Sequence, residues 1–214
     1  MSISHHPTEA TLLAYAAGNL DEASSVVVAV HLGGCRACLD AVSVCEAMGG
    51  ELLVSLEAVD MGQAALAGVL ARLDTPISPA PAVAPLPADI GFHVPYALSR
   101  YKLGGWRWIA PGIRHIAVLP RRAGRSGLYL LKIDPGTALP GHGHQGSELA
   151  CILAGSYTDE TGWFRSGDLA EMDEDHEHRP VADVRDGCTC LIATDAKLRF
   201  HGWLPRLLQP VLGF

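Results

Sequence analysis

"PGTALPGHGHQGSELACILAGSY" spans residues 135–157 and sets two imidazoles and a carboxylate between glycines. Side chains alternate between faces along an extended chain, so His142 and His144 project to the same side. Gln145-Gly146-Ser147 has the chemistry of a turn, after which Glu148 can return its carboxylate to the same place. Around this stretch the chain breaks into short apolar runs punctuated by glycine and proline: "WRWIAPG", "HIAVLP", "LYLLKIDPG", "ELACILAG" and "CLIATD". Strands of this length with turn signals at this spacing predict an all-β sandwich or barrel. Two histidines and a glutamate converging in such a fold can hold a metal or carry acid–base chemistry.

Upstream the texture differs. Between Thr75 and Gly91 runs "TPISPAPAVAPLPADIG", whose prolines at 76, 79, 81, 85 and 87 forbid a continuing helix and favour an extended, semi-rigid connector. It divides the 214 residues into an amino-terminal domain (1–75), a linker (76–90) and a second domain (91–214). The first domain reads helical. One segment follows Thr8 and stops at Gly18-Asn19, and a second opens at Asp21-Glu22 and ends at Gly33-Gly34. A third runs from Cys35 to Gly49-Gly50, and a fourth covers "ELLVSLEAVDMGQAALAGVLARL" at 51–73. The valines at 26–28 are weak helix formers, which leaves the second segment the least favoured locally.

Charge is unevenly placed. Residues 1–75 hold nine acids against only Arg36 and Arg72, while the remainder carries 14 acids and 14 bases, so the net −7 lies entirely in the first third. An acidic helical domain does not suit phosphate contacts, which excludes direct nucleic-acid binding there and favours a basic protein partner. No apolar run is long enough for a bilayer; the valine cluster ends at His31. The start "MSISHHPTEATLL" lacks a basic stretch followed by an apolar one, so a cytoplasmic protein without a membrane partner is expected. Six cysteines in that setting point to metal binding, redox chemistry or burial rather than disulfides.

"HLGGCRACLD" reads His31-x3-Cys35-x2-Cys38. The two cysteines sit three apart on one face of a helix's first turn, and the histidine ends the helix before. These are three ligands of the softness that tetrahedral zinc prefers, with His5 and His6 as the candidates for a fourth. A redox Cys-x-x-Cys is the other chemistry open to the pair, without the βαβ setting it usually has.

The opening stretch, read as Gly136-x5-His142-x-His144-x3-Glu148-x6-Gly155, resembles the first motif of the cupin barrels. The second cupin motif places a histidine eleven residues after a glycine, and counting from Gly167 gives His178. Asp173 and Asp175 stand where that motif has proline and glycine, which leaves His176 as a fallback ligand. Imidazoles with a carboxylate suit Zn²⁺, Mn²⁺, Fe²⁺ or Ni²⁺ alike. Cys188 and Cys190 share a strand face, with burial or redox chemistry both open to them.

A helical domain with this Cys/His spacing, a proline-rich linker and a metal cupin together resemble the ChrR family of zinc-bound anti-sigma factors. The resemblance implies a small all-α zinc-binding bundle followed by an all-β jelly-roll barrel. It implies zinc on His6, His31, Cys35 and Cys38, and zinc or another divalent metal on His142, His144, Glu148 and His178, with no catalytic residue. It further implies a transcriptional regulator. Its first domain would sequester an extracytoplasmic-function (ECF) sigma factor, and its cupin would trigger release on singlet oxygen or organic hydroperoxides. The alternative from another class is a metal-dependent, dioxygenase-like cupin enzyme with an accessory helical domain; a third is a zinc-binding adaptor for another basic protein.

Overall fold

Thr8 and Asp21 each bend a side chain onto the backbone N–H three residues ahead, and each starts a helix by doing so. The computed structural model describes residues 3–73, 90–121, 125–144, 146–195 and 198–200, with His144 and 198–200 described by their backbone alone. Apart from Ile90, the expected linker at 76–90 lies outside the described residues. Helix α1 (Glu9–Ala16) is capped by Thr8, and α2 (Glu22–Leu32) by Asp21, whose Oδ1 accepts from Ser24 N–H at 2.9 Å. Gly18, at φ +69°, turns the chain out of α1.

Helix α3 (Arg36–Val54) differs from expectation by running straight through Gly49-Gly50. Neither glycine adopts the left-handed conformation that ends helices. Without that turn, two interior glycines only weaken the helix, by about 1 kcal/mol each. The expected fourth segment therefore divides: residues 51–54 finish α3, and α4 (Ala65–Leu73) begins after a non-helical stretch.

The β region is antiparallel throughout. The larger sheet runs β1 (Arg107–Ala110), β2 (Ile113–Leu119), β3 (Gly127–Ile133), β10 (Cys188–Thr194), β5 (Glu148–Asp159) and β6 (Gly162–Arg165), with β7 (Leu169–Met172) and β9 (Val181–Ala182) also pairing β5. The smaller sheet orders β11 (Leu198–Phe200), β4 (His142–His144) and β8 (Glu177–His178). Among the described residues the two sheets do not join into one ring, so in place of the expected closed barrel there are two sheets.

Both faces of the large sheet are covered, which explains the unbroken apolar runs such as "LYLLKI". Ile113, Leu131, Ala150, Ile152, Tyr157, Phe164 and Cys190 pack on one face. On the other, Ile116, Leu128, Leu130, Leu149, Cys151 and Leu191 form a single core with Ala23, Val26, Val27 and Val28 of α2. Burial of these valines stabilises a helix that propensity alone disfavours. Polar contacts pin the first two helices to residues of the second half around this core. Asp21 Oδ2 accepts from Ser126 N–H at 3.0 Å, Tyr101 donates to Glu22 at 2.9 Å, and Glu171 accepts from Thr8 N–H at 2.8 Å and the Thr11 hydroxyl at 2.7 Å.

One irregularity matters for the site. The β5–β10 register shifts between Thr189 and Cys190, so β5 carries an extra residue just before Gly155. Gly155 has φ +70°, and a Cβ there would run into the Gly187 carbonyl, so only glycine fits. The bulge switches parity along β5. Ala150 and Ile152 face the same core as Tyr157, an odd separation that a regular strand forbids.

Candidate metal centres

The two expected ligand sets lie at different places in this fold. His6 precedes α1, His31 stands in the last turn of α2, Cys35 occupies the position just before α3 without a side-chain capping bond, and Cys38 lies in its first turn. Their ligand atoms all fall within 4.8 Å of one another. His6 Nδ1 is 3.3 Å from each cysteine sulfur, and His31 Nε2 is 3.4 Å from Cys38 Sγ. Tetrahedral zinc, bonded at about 2.3 Å to sulfur and 2.0–2.1 Å to nitrogen, sets its ligands roughly 3.5 Å apart, so the four donors fit it.

The electrostatics fit as well. The Gly167 carbonyl accepts from His31 Nδ1 at 2.8 Å, which places the proton on Nδ1 and turns Nε2 toward the cysteines. Burial pushes the His31 imidazole down, favouring the neutral form a ligand needs; the bond to Gly167 opposes this only in part. Burial also pushes the Cys38 thiol up to about 12, with Cys35 adding to the shift. A bound divalent cation reverses that balance, because coordinating thiols deprotonate. His5, the other amino-terminal candidate, turns away: its ring packs on Phe164 at 4.2 Å and its Nδ1 lies 3.4 Å from Asp168.

In the β region, β4 pairs β8 with His142 opposite His178. Their Nε2 atoms approach to 3.0 Å, the spacing of about 3.0 Å between neighbouring nitrogens on a six-coordinate ion with bonds near 2.1 Å. Each ring is fixed from behind. Pro140 O accepts from His142 Nδ1 at 2.9 Å, and Asp159 Oδ2 from His178 Nδ1 at 2.8 Å. Glu148 is buried on the same side, and burial pushes its carboxyl up to about 7 against the opposing pull of His178. Among the described residues, however, the group of three or more such side chains close enough to share an ion is the helical His6, His31, Cys35 and Cys38, and His142, Glu148 and His178 do not form a second. The His144 side chain lies outside the described residues. His176 stands apart on the surface, 44% exposed, with its Nδ1 2.6 Å from Asp173.

Asp159 is the site residue that sequence reasoning missed. Burial alone would raise its carboxyl; the hydrogen bonds from His178 and Thr161 outweigh that and hold it below the usual range. Regular alternation from Glu148 places residue 159 on the opposite face, and only the bulge before Gly155 brings it round. With a divalent metal held by His178, as the cupin resemblance implies, Asp159→Asn is expected to weaken its binding about 10–100-fold, as loss of a carboxylate behind a ligating histidine does elsewhere. Competition with a chromophoric chelator reads this directly; unchanged affinity contradicts the orienting role.

Cys188 and Cys190 are buried side by side on β10, where the hydrogen bond that the Cys190 thiol donates to Cys188, then burial, push the Cys190 thiol well up. Cys151 faces the opposite core.

An antiparallel β domain with a buried histidine pair, overlaid by helices that gather a His₂Cys₂ cluster suited to zinc, defines a cupin-like protein with an attached helical module. Residues 100–197 match the family model described as the ChrR Cupin-like domain. The anti-sigma-E factor ChrR of Cereibacter sphaeroides is 43% identical over 98% of this chain and 98% of its own length. The crystal structure of Rhodobacter sphaeroides SigE in complex with the anti-sigma ChrR aligns with a TM-score of 0.74 at 39% identity, covering 91% of this chain and 100% of that one. The chain belongs to the ChrR family of anti-sigma factors, which are regulators rather than enzymes. No described helix is long and apolar enough to cross a membrane.

Proposed function

We propose that this protein is a cytoplasmic anti-sigma factor, that zinc on His6, His31, Cys35 and Cys38 holds its first three helices in register, and that its partner is an ECF sigma factor. The ChrR–SigE complex supports this reading, and the observation that carries it within this chain is α3. Its amino-terminal turn joins the ligand cluster and Val42 is buried, but Val44, Met48 and Leu52 form an i, i+4, i+8 stripe that is 62–70% exposed. Leu66, Val69, Leu70 and Leu73 of α4 are exposed as well. Such contiguous apolar surface marks an interaction site, and the acids around it suit the basic surfaces with which sigma factors meet DNA.

The functional division proposed is residues 1–75 for sigma binding and 91–214 for sensing, with 76–90 as the connector. A divalent metal on His142, Glu148 and His178, with His144 as the further ligand, would make the cupin responsive to singlet oxygen or organic hydroperoxides. The chain's own residues then have separable tasks. Asp159 and Pro140 O orient the imidazoles, Glu148 supplies negative charge, and the core shared by sheet and α2 joins sensor to docking layer.

The test is His142→Ala with Glu148→Gln in a reporter strain carrying the sigma factor. Repression should persist in unstressed cells, and induction by singlet oxygen should be lost. Induction equal to wild type contradicts sensing through the cupin metal.

A further inference from the structure

The helical ligand cluster is not built by the helices alone. The turn joining β6 to β7, residues 166–168, reaches it from the β region at two points. Gly167 O accepts from Nδ1 of His31 at 2.8 Å. The Asp168 carboxylate, 1% exposed, accepts from Ser4 N–H at 2.7 Å and His5 N–H at 3.1 Å, the two residues before His6. Leu169 N–H donates to His5 O at 3.1 Å, so Asp168 and Leu169 together bond the strap leading to His6. Gly167 itself lies against Ile3: at φ +95°, a Cβ there would come within 2.8 Å of Ile3 Cγ1.

The same turn is bonded into the strand that carries the cupin site. Gly167 N–H donates to Ile152 O at 2.8 Å, and Ile152 N–H to Asp168 O at 3.0 Å. Ile152 sits on β5 between Glu148 and Asp159. β7, which begins at the next residue, pairs Met172 with Glu148, and β6, just before it, pairs Gly162 with Asp159.

From this arrangement we infer that Gly167 and Asp168 are positioning residues for the zinc site of the helical module, so that the cupin domain supplies the outer hydrogen bonds that keep two of its four ligands in place. Gly167 fixes the tautomer and ring angle of His31, and Asp168 anchors the strap that presents His6. Shifts of β5 at the cupin site have a direct bonded route to zinc retention in the docking layer, and by linkage the effect is reciprocal. The inference rests on the zinc reading above and adds to it a part played by the second domain.

The experiment uses the full-length protein loaded with one equivalent of zinc, with release followed by a chromophoric chelator. Asp168→Ala, which removes the acceptor of the Ser4 and His5 amides, is expected to speed zinc release about 10-fold, the low end of the range for a lost outer-sphere partner, because Asp168 holds the strap rather than a ligand itself. Tyr101→Phe, which loosens the same interface at the other end of α2, should leave release unchanged. Equal release from wild type and Asp168→Ala overturns the inference while leaving the zinc reading intact, and so does an equal acceleration by Tyr101→Phe. Wild-type protein that binds no zinc at Cys35 and Cys38 overturns both. Should Asp168→Ala fail to fold, nitrogen NMR of the wild-type zinc protein decides. A proton on Nδ1 of His31 and slow exchange of the Ser4 and His5 amides are expected; the opposite tautomer or rapid exchange of those amides contradicts the inference.

Discussion

Replacing Cys35 and Cys38 with serine in the full-length protein is expected to eliminate zinc from the helical layer and with it all measurable repression of the sigma factor. The size of the effect follows from what the metal does there. His6, His31 and the two cysteines come from three segments whose mutual contacts are few, and structural zinc contributes about 10–16 kcal/mol in comparably small modules. Serine oxygens are harder, weaker ligands for zinc than thiolates. α1 and α3 should then detach from the shared core first, since α2 is held independently by its valines against the sheet. Zinc content, circular dichroism and a reporter of sigma activity check this together. Repression that survives in the zinc-free double variant contradicts the role given to the metal.

Met48→Glu with Leu52→Glu is expected to lower affinity for the sigma factor by at least about 100-fold while leaving the melting temperature of the free protein unchanged. Both side chains are exposed, at 62% and 70%, so the unbound chain loses nothing by the change. In a complex, central apolar residues dominate the binding energy, and two buried charges without partners cost several kcal/mol. The added acids sit beside Glu46 and Glu51, so long-range attraction to a basic partner is kept; the loss should appear in the dissociation rate. Calorimetry and stopped-flow measurements with the purified pair separate the two contributions. Unchanged affinity places the docking surface elsewhere.

Much of this was legible in the sequence because it is local. The His31-x3-Cys35-x2-Cys38 spacing lies across one helix–helix turn, whereas His178, 36 residues beyond His142, was reached only through the spacing of the cupin motif that the chain resembles. Thr8 and Asp21 announced their helices by side-chain chemistry alone. What escaped depends on the third dimension. Asp159 faces His178 only because one extra residue before Gly155 reverses the alternation of β5, and no single-sequence pattern counts a bulge. Gly49-Gly50 looked like a helix end, but a glycine terminates a helix only where the chain takes a left-handed turn, and here it does not. The proline-rich stretch suggested two separately packed modules, whereas Val27 and Val28 share a core with Leu128 and Leu191. The contacts of Gly167 and Asp168 with the amino-terminal strap join residues some 160 positions apart, beyond the reach of any motif.

The most direct test of the central claim is calorimetric titration of the purified, zinc-loaded chain with the ECF sigma factor of its own organism, before and after exhaustive chelation. An equimolar complex that keeps the sigma factor from core RNA polymerase, and that is lost once zinc is removed, is the expected result. Absence of binding by the zinc-loaded protein, or binding of equal strength after zinc has gone, contradicts it.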